Sequence, residues 1–234
     1  MPRLPALALA AALAIPAAAA AAEPPPPPRV IVMGEGRAAM APDMALLSLS
    51  VMREAATARE ALDANNAAMA AVIAAMKASG VEDRDLQTAG IQIAPRYDYT
   101  NKPDGTQEAR LAAYQVTNTL SVRVRDLAKT GEIIDKAVTL GVNQGGGVTF
   151  TNDDPSAALT EARKKAVEDA VAKARTLAEA AGVSLGRVIE MSEQSYVSGP
   201  EPFLAKAMPA DAAVPVEAGE NAYKVQVNMS FELK

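Results

Sequence analysis

Residues 154–181 read DPSAALTEARKKAVEDAVAKARTLAEAA, the longest segment of the chain with an unbroken helical period. Leu159, Ala162, Ala166, Val167, Ala170, Ala174, Leu177, Ala178 and Ala181 recur three or four residues apart, the spacing of a core-facing stripe. Asp154 is placed to cap the free N–H groups of the first turn. Pro155 has the fixed φ that suits the first helical position, and Gly182 offers the left-handed stop. Opposite charges four apart (Glu161 with Lys165, Lys164 with Glu168, Asp169 with Lys173, Arg175 with Glu179) can decorate the solvent face. Alanine carries much of the stripe, so this helix has to lie close to whatever it covers, and a sheet suits that best.

Working outward, the totals bound what the rest of the chain can be. With 234 residues, half of them hydrophobic, the chain is long enough for a folded core. Only 3% of residues are aromatic and Trp is absent, so small side chains must fill that core. The formal net charge of −5 and the lack of any Lys/Arg cluster argue against nucleic acid as partner, because phosphate contacts need clustered cations. Cys and His are both absent. That removes disulfides, thiolate and imidazole metal sites, thiol nucleophiles and His-assisted triads.

At the N-terminus, residues 1–22 (MPRLPALALAAALAIPAAAAAA) place one positive charge before a short apolar run and small residues. This is the form of a secretory signal peptide cut after an Ala-x-Ala site at Ala22. Pro5 and Pro16 interrupt the run, which disfavours a transmembrane anchor, and no later stretch reaches the roughly 20 apolar residues of a span. A mature chain that is exported and has no membrane span is expected. Residues 23–29 form a Pro-rich arm whose five consecutive prolines, Pro24 to Pro28, favour an extended polyproline II spacer.

The expected domain occupies 30–234. Val30 to Met40 and Met44 to Arg53 read as strands joined by a turn at Ala41, Pro42 and Asp43. A helix from Ala58 to Ser79 opens on Thr57 with Glu60 three residues on, the spacing of a capping box. Leu62, Met69, Ile73 and Met76 are its expected buried stripe, and Gly80 its end. Gly90 to Tyr99 and Tyr114 to Arg125 form a long hairpin around a polar loop, Thr100 to Glu108. A third helix, Leu127 to Leu140, has Asp126 as its cap and Gly141 as its stop, and Val148 to Thr151 leads into the helix first quoted. The closing part repeats an earlier order. AYQVTNTLSVRV at 113–124 aligns with AYKVQVNMSFEL at 222–233, and Gly80-Val81 and Gly182-Val183 mark two helix exits. The fold expected is α+β, mainly antiparallel sheets packed against three helices, with a weak internal helix-strand-strand repeat. A long mobile loop at 197–219 carries Pro200, Pro202, Pro209 and Pro215 beside the apolar residues Phe203, Leu204, Met208 and Val214.

No constellation in the sequence carries chemistry. Gly34, Gly36 and Ala39 match the dinucleotide fingerprint in letters, but Pro42 and a strand pattern follow where a phosphate-binding helix is required. A bulge or a close backbone crossing explains these glycines better. Gly145, Gly146 and Gly147 lack the Lys and Ser/Thr of a phosphate loop. Asn152, Asp153 and Asp154, and likewise Glu82, Asp83 and Asp85, could offer oxygen ligands to a hard cation, yet calcium-loop spacing is missing and capping or a solvated turn is favoured. Tyr97, Asp98 and Tyr99 make a local aromatic cluster, read as a sheet-end contact. Catalytic residues, cofactor-binding residues and metal ligands are each assigned as none, and no cofactor is expected. Paired carboxylates can run glycoside hydrolysis without His, so composition alone leaves that chemistry open.

VMGEG at Val32 to Gly36 with Pro42-Asp43, the Ala- and Asn-bearing helix around Ala58 to Asn66, and Asp85 to Thr88 resemble, in order, motifs of one known family. The series continues through Ile93 to Tyr97, Tyr114-Gln-Val116, Gly141-Val-Asn143, Gly147 and Phe150, and ends on EARKKAVEDAVAKARTLAEAAGV. The family is the SIMPL-domain family, which includes bacterial periplasmic immunogenic and oxidative-stress-defence proteins. The resemblance implies an exported envelope protein of α+β fold and supplies no catalytic residue to carry over. It supports a non-enzymatic protein acting through self-association as a homo-oligomer, or through contacts with an envelope partner, in envelope maintenance or stress tolerance. A periplasmic binding module for a peptide or small ligand is the alternative, and a carboxylate-based hydrolase a third.

Overall fold

The computed structural model describes residues 27–194, 201–203, 214 and 216–234. The segment expected as signal peptide (1–22), most of the expected Pro-rich arm and most of the loop expected at 197–219 lie outside these residues. Along the chain run β1 (Arg29–Met40), β2 (Met44–Ala55), α1 (Ala58–Ala78), β3 (Leu86–Asn101), β4 (Gln107–Val124) and α2 (Thr130–Thr139). They are followed by β5 (Gln144–Thr151), α3 (Ser156–Ala180), β6 (Leu185–Gln194), β7 (Glu201–Phe203) and β8 (Glu220–Leu233). The strands form two antiparallel sheets, one ordered β1-β8-β6 with β7 also on β8, the other β3-β4-β2-β5. The α+β expectation holds. β1 and β2 do not pair with each other, however. β1 runs along β8 from Arg29↔Glu232 to Met40↔Asn221, β2 lies between β4 and β5, and residues 41–43 carry the chain from one sheet to the other.

The repeat seen in the sequence is a repeat of topology. β4 is flanked by β3 and β2, and β8 by β6 and β1, so each helix-strand-strand unit is completed by one strand from the N-terminal region. Each sheet has its own core. Leu47, Leu49, Val51, Leu120, Val122 and Val124 pack under α1 and α2, and Val225, Val227, Met229 and Phe231 pack under α3.

α3 begins one residue later than its signals indicate, with Pro155 as the cap residue and Asp154 Oδ1 accepting from Ser156 N at 2.9 Å. Its buried residues are Ala158, Ala162, Ala166, Ala170, Ala174 and Ala178, one every four positions. Ala181 is exposed, and Leu177, at 52%, is left on the rim of a shallow groove of about 560 Å³ beside Val32 and Met33. A ridge without bulk lets the helix backbone descend onto β1, where Gly34 and Gly36 lie beneath Ala162, Ala166 and Ala170. Of the two readings of these glycines, a bulge or a close backbone crossing, the crossing is the one present. Because β1 is an edge strand, half of its backbone groups point away from β8. Side chains of α3 take three of them: Lys165 Nζ donates to Arg37 O (3.1 Å), Asp169 Oδ2 accepts from Glu35 N (2.8 Å), and Lys173 Nζ donates to Met33 O (3.1 Å). A four-residue step on the helix matches a two-residue step on the strand, and the edge is closed to a further strand along this stretch. Of the four charge pairs expected on α3, the ion pair seen is Lys173–Asp169; Lys164 instead reaches Glu161 and Arg163 reaches Glu193.

α1 is capped as expected, with Glu60 N donating to Thr57 Oγ1 and Thr57 N to Glu60 Oε2. Its buried face is Ala61, Asn65, Met69, Val72 and Met76, while Leu62 and Ile73 are half-buried, so the stripe is rotated from the one expected. Asn65 is fully buried and donates from Nδ2 to Val51 O (2.7 Å) and Val116 O (3.0 Å), bridging β2 and β4. The third expected helix is a 3-10 turn at Leu127–Lys129 followed by α2, and Asp126 makes no side-chain cap, forming an ion pair with Lys129 instead. All three helices end alike. Gly80, Gly141 and Gly182 have positive φ, and the following Val81, Val142 and Val183 donate back to Met76, Ala137 and Ala178. This is the Schellman arrangement, which satisfies carbonyls the helix would leave free.

Candidate functional site

β3 is the feature that packing among the described residues does not account for. It pairs with β4 from Leu86↔Val122 to Asn101↔Gln107, and as the edge of its sheet it has no neighbouring strand on its other side among the described residues. From Gln87 to Asn101 every residue but Ala94 is exposed, and β4 is exposed from Gln107 to Leu111. β2 stops opposite Tyr114, so the outer part of the hairpin projects past it. Alternation sorts β3 into two faces. Ile91, Ile93, Pro95, Tyr97 and Tyr99 share one, with Leu111 opposite Tyr97. The other carries Arg96, which pairs with Glu54 and Asp98.

The apolar face of β3 continues a core. Ile93 is opposite Val116 and Ile91 opposite Asn118, both buried on the side of β4 covered by α1, but the helix ends its coverage at β4. Ile91 is 56% exposed, Ile93 49% and Tyr99 66%. A half-apolar strand of this length ordinarily has one face covered, and among the described residues nothing covers this one. The aromatic cluster at Tyr97 to Tyr99 is thus part of an exposed stripe rather than a contact at the end of a sheet. The hairpin was legible in the sequence; its bareness was not, since alternation is identical whether or not a cover exists.

The candidate cation ligands are used for structure. Asn152 joins the two halves: its Nδ2 donates to Ala41 O (2.6 Å), and its Oδ1 accepts from Asn221 Nδ2 and from Tyr223 OH, each at 2.9 Å. Burial pushes the Tyr223 phenol up, so it stays protonated as that donor. Asp153 and the buried Asp85 both bind Arg125. Asp83 pairs with Lys77 and Glu82 with Arg84. Asn143 brackets Met52, accepting from its N–H and donating to its carbonyl. The motif residues Gly34, Gly36, Asn143 and those of α3 therefore have packing and hydrogen-bonding roles.

These carboxylates give a direction for acid stability. Hydrogen bonding from Arg125 holds Asp85 below the usual carboxylate range, and Lys173 together with the Glu35 N–H does so for Asp169. Lys224 and Gln226 lower Glu35 in the same way. A carboxyl depressed in the folded state stabilises it fully above the unfolded value of about 4 and loses that contribution as pH falls through the folded value. Thermal midpoints are therefore expected to decline on acidification below about pH 4. Asp85→Asn should lower the midpoint near neutral pH and flatten the acid decline, as circular-dichroism melts over a pH series would show.

Comparison with known proteins agrees with this architecture. The SIMPL family, described as a protein of unknown function (DUF541), matches residues 30–231. The chain is 53% identical over 213 residues to the 26 kDa periplasmic immunogenic protein of Brucella melitensis biotype 1, covering 88% of this chain and 85% of that one. It is 30% identical over 215 residues to the uncharacterized protein YggE of Escherichia coli strain K12, covering 88% and 83%. None of these descriptions names an enzymatic activity. No helix among the described residues is long and apolar enough to cross a membrane. Over residues 30–231, most of its length, the chain belongs to the SIMPL family.

Proposed function

We propose that this chain is a non-enzymatic periplasmic protein that works through protein contacts, first of all with copies of itself, in envelope maintenance or stress tolerance. The observation that carries this reading is the bare apolar face of β3, which extends a core beyond the helix that covers it. A second chain laid on Ile91, Ile93, Tyr97 and Tyr99 would complete that core, and the free edge of β3 offers strand pairing as well. The periplasmic name of the Brucella relative supports export, with residues 1–22 as a cleaved signal peptide, 23–29 as a spacer arm and 30–234 as the working domain. The loop at 197–219 adds a second contact element in this reading.

The test is the solution mass of residues 23–234, by light scattering coupled to size exclusion across a dilution series. A multiple of the monomer mass is expected, falling to the monomer in Ile91→Lys/Ile93→Lys. Both side chains are about half exposed, so the double variant should keep its thermal midpoint within a few degrees. A monomer at every concentration would overturn self-association and favour the ligand-binding alternative. Deleting 198–218 without change in assembly would remove the loop from the proposal.

A further inference from the structure

The open face of the other sheet holds a second feature. β6 meets β8 through an irregular register: Val188 lies opposite Phe231, but Glu190, not Ile189, lies opposite Ser230. Ile189 is an extra residue, a β-bulge, and its effect is to shift the alternation by one. Glu190 and Ser192 are thereby brought onto the face that carries Asn228 and Ser230, away from α3. Together with Ile31 these residues line a depression of about 110 Å³. Ser230, only 4% exposed, lines it with a hydroxyl that has no hydrogen-bond partner. Among the described residues Glu35 and Glu232 of this face pair with Lys224 and Arg187, whereas Glu190 has no ion pair.

We propose that this depression binds a small primary ammonium group. The unpaired Glu190 carboxylate attracts a cation. The hydroxyls of Ser192 and Ser230 and the amide oxygen of Asn228 accept N–H donors, and Ile31, 62% exposed, gives an apolar wall for a short alkyl chain. Quaternary ammonium is disfavoured, because it has no N–H to give and is held by aromatic cages, and no aromatic side chain lines this site. A divalent metal is disfavoured because a single carboxylate is too few hard ligands. Neither the depression nor its residues belong to the hairpin, so this site stands apart from self-association.

Saturation-transfer NMR on the full mature chain, residues 23–234, with propylammonium chloride as probe provides the test, since it reads the ligand whatever the size of the assembly. Saturable binding in the millimolar range is expected for propylammonium, with no saturable signal from 1-propanol or tetramethylammonium. Glu190→Gln should weaken binding by about tenfold and Ser230→Ala by a few fold. Glu190 is exposed, so its variant folds, and an unchanged circular-dichroism melt verifies this. Vesicles of phosphatidylethanolamine distinguish two sources of the group: displacement of the propylammonium signal assigns it to a lipid headgroup, persistence assigns it to a free amine, and both agree with an ammonium site. No saturable signal, equal binding of 1-propanol, or unchanged affinity in Glu190→Gln would overturn the proposal.

Discussion

Gly36→Ala is expected to destabilise the fold by at least about 3 kcal/mol, lowering the thermal midpoint by roughly 10 °C. A methyl group there would run into the carbonyl oxygen of Ala162 and come within 2.5 Å of Ala166 N. Those are backbone atoms of α3, so no rotamer change relieves the overlap and the helix itself has to lift from β1. Lifting it would also stretch the bonds from Lys165, Asp169 and Lys173 to the edge of β1. The same substitution at Gly34 meets Ala166 O and lies 2.7 Å from Ala170 Cβ, and should cost a similar amount. Gly147→Ala is the control. Nothing lies within 4 Å of its added methyl, and the change should stay within about 0.5 kcal/mol. Equal midpoints for Gly36→Ala and Gly147→Ala in thermal or urea unfolding would show that the close crossing contributes nothing.

Asn65→Leu should cost about 3 kcal/mol although it places an apolar side chain of similar size in an apolar core. It removes the amide that donates to both Val51 O and Val116 O, leaving carbonyls of β2 and β4 with one acceptor site each unused in a fully buried place. The replaced residue also carries an Oδ1 without a partner, so the variant relieves one unsatisfied atom while creating the other deficits. Urea unfolding would measure the net sign. A neutral or stabilising result would mean that the Asn65 bridge contributes no net stability.

These two sites differ in how far the sequence foretold them. The glycines of β1 were legible as a bulge or a close crossing because a strand pattern follows them at once, and the alanine ladder of α3 called for a near neighbour. Asn65 was not legible as a core residue. An amide among alanines on a helix looks like a solvated position, and only the arrival of two strand carbonyls beneath it changes that. The same reason moved the stripe of α1 away from Leu62 and Ile73, and left Leu177 outside the core despite its hydrophobicity.

What this sequence determined by itself is local: the capping box of Thr57 and Glu60, the three Gly-Val helix ends, the alternation of the long strands and the periodicity of α3. Each of these rests on hydrogen bonds or faces within a turn or two of chain, where neighbouring residues suffice. The tertiary structure alone decided that β1 leaves β2 for β8, that Asn152 ties the halves to Tyr223, that the bulge at Ile189 sets Glu190 over Ser230, and that β3 has no cover among the described residues. Alternation makes a strand sticky on one face without naming its partner, and β1 and β8 lie nearly a whole chain apart in sequence.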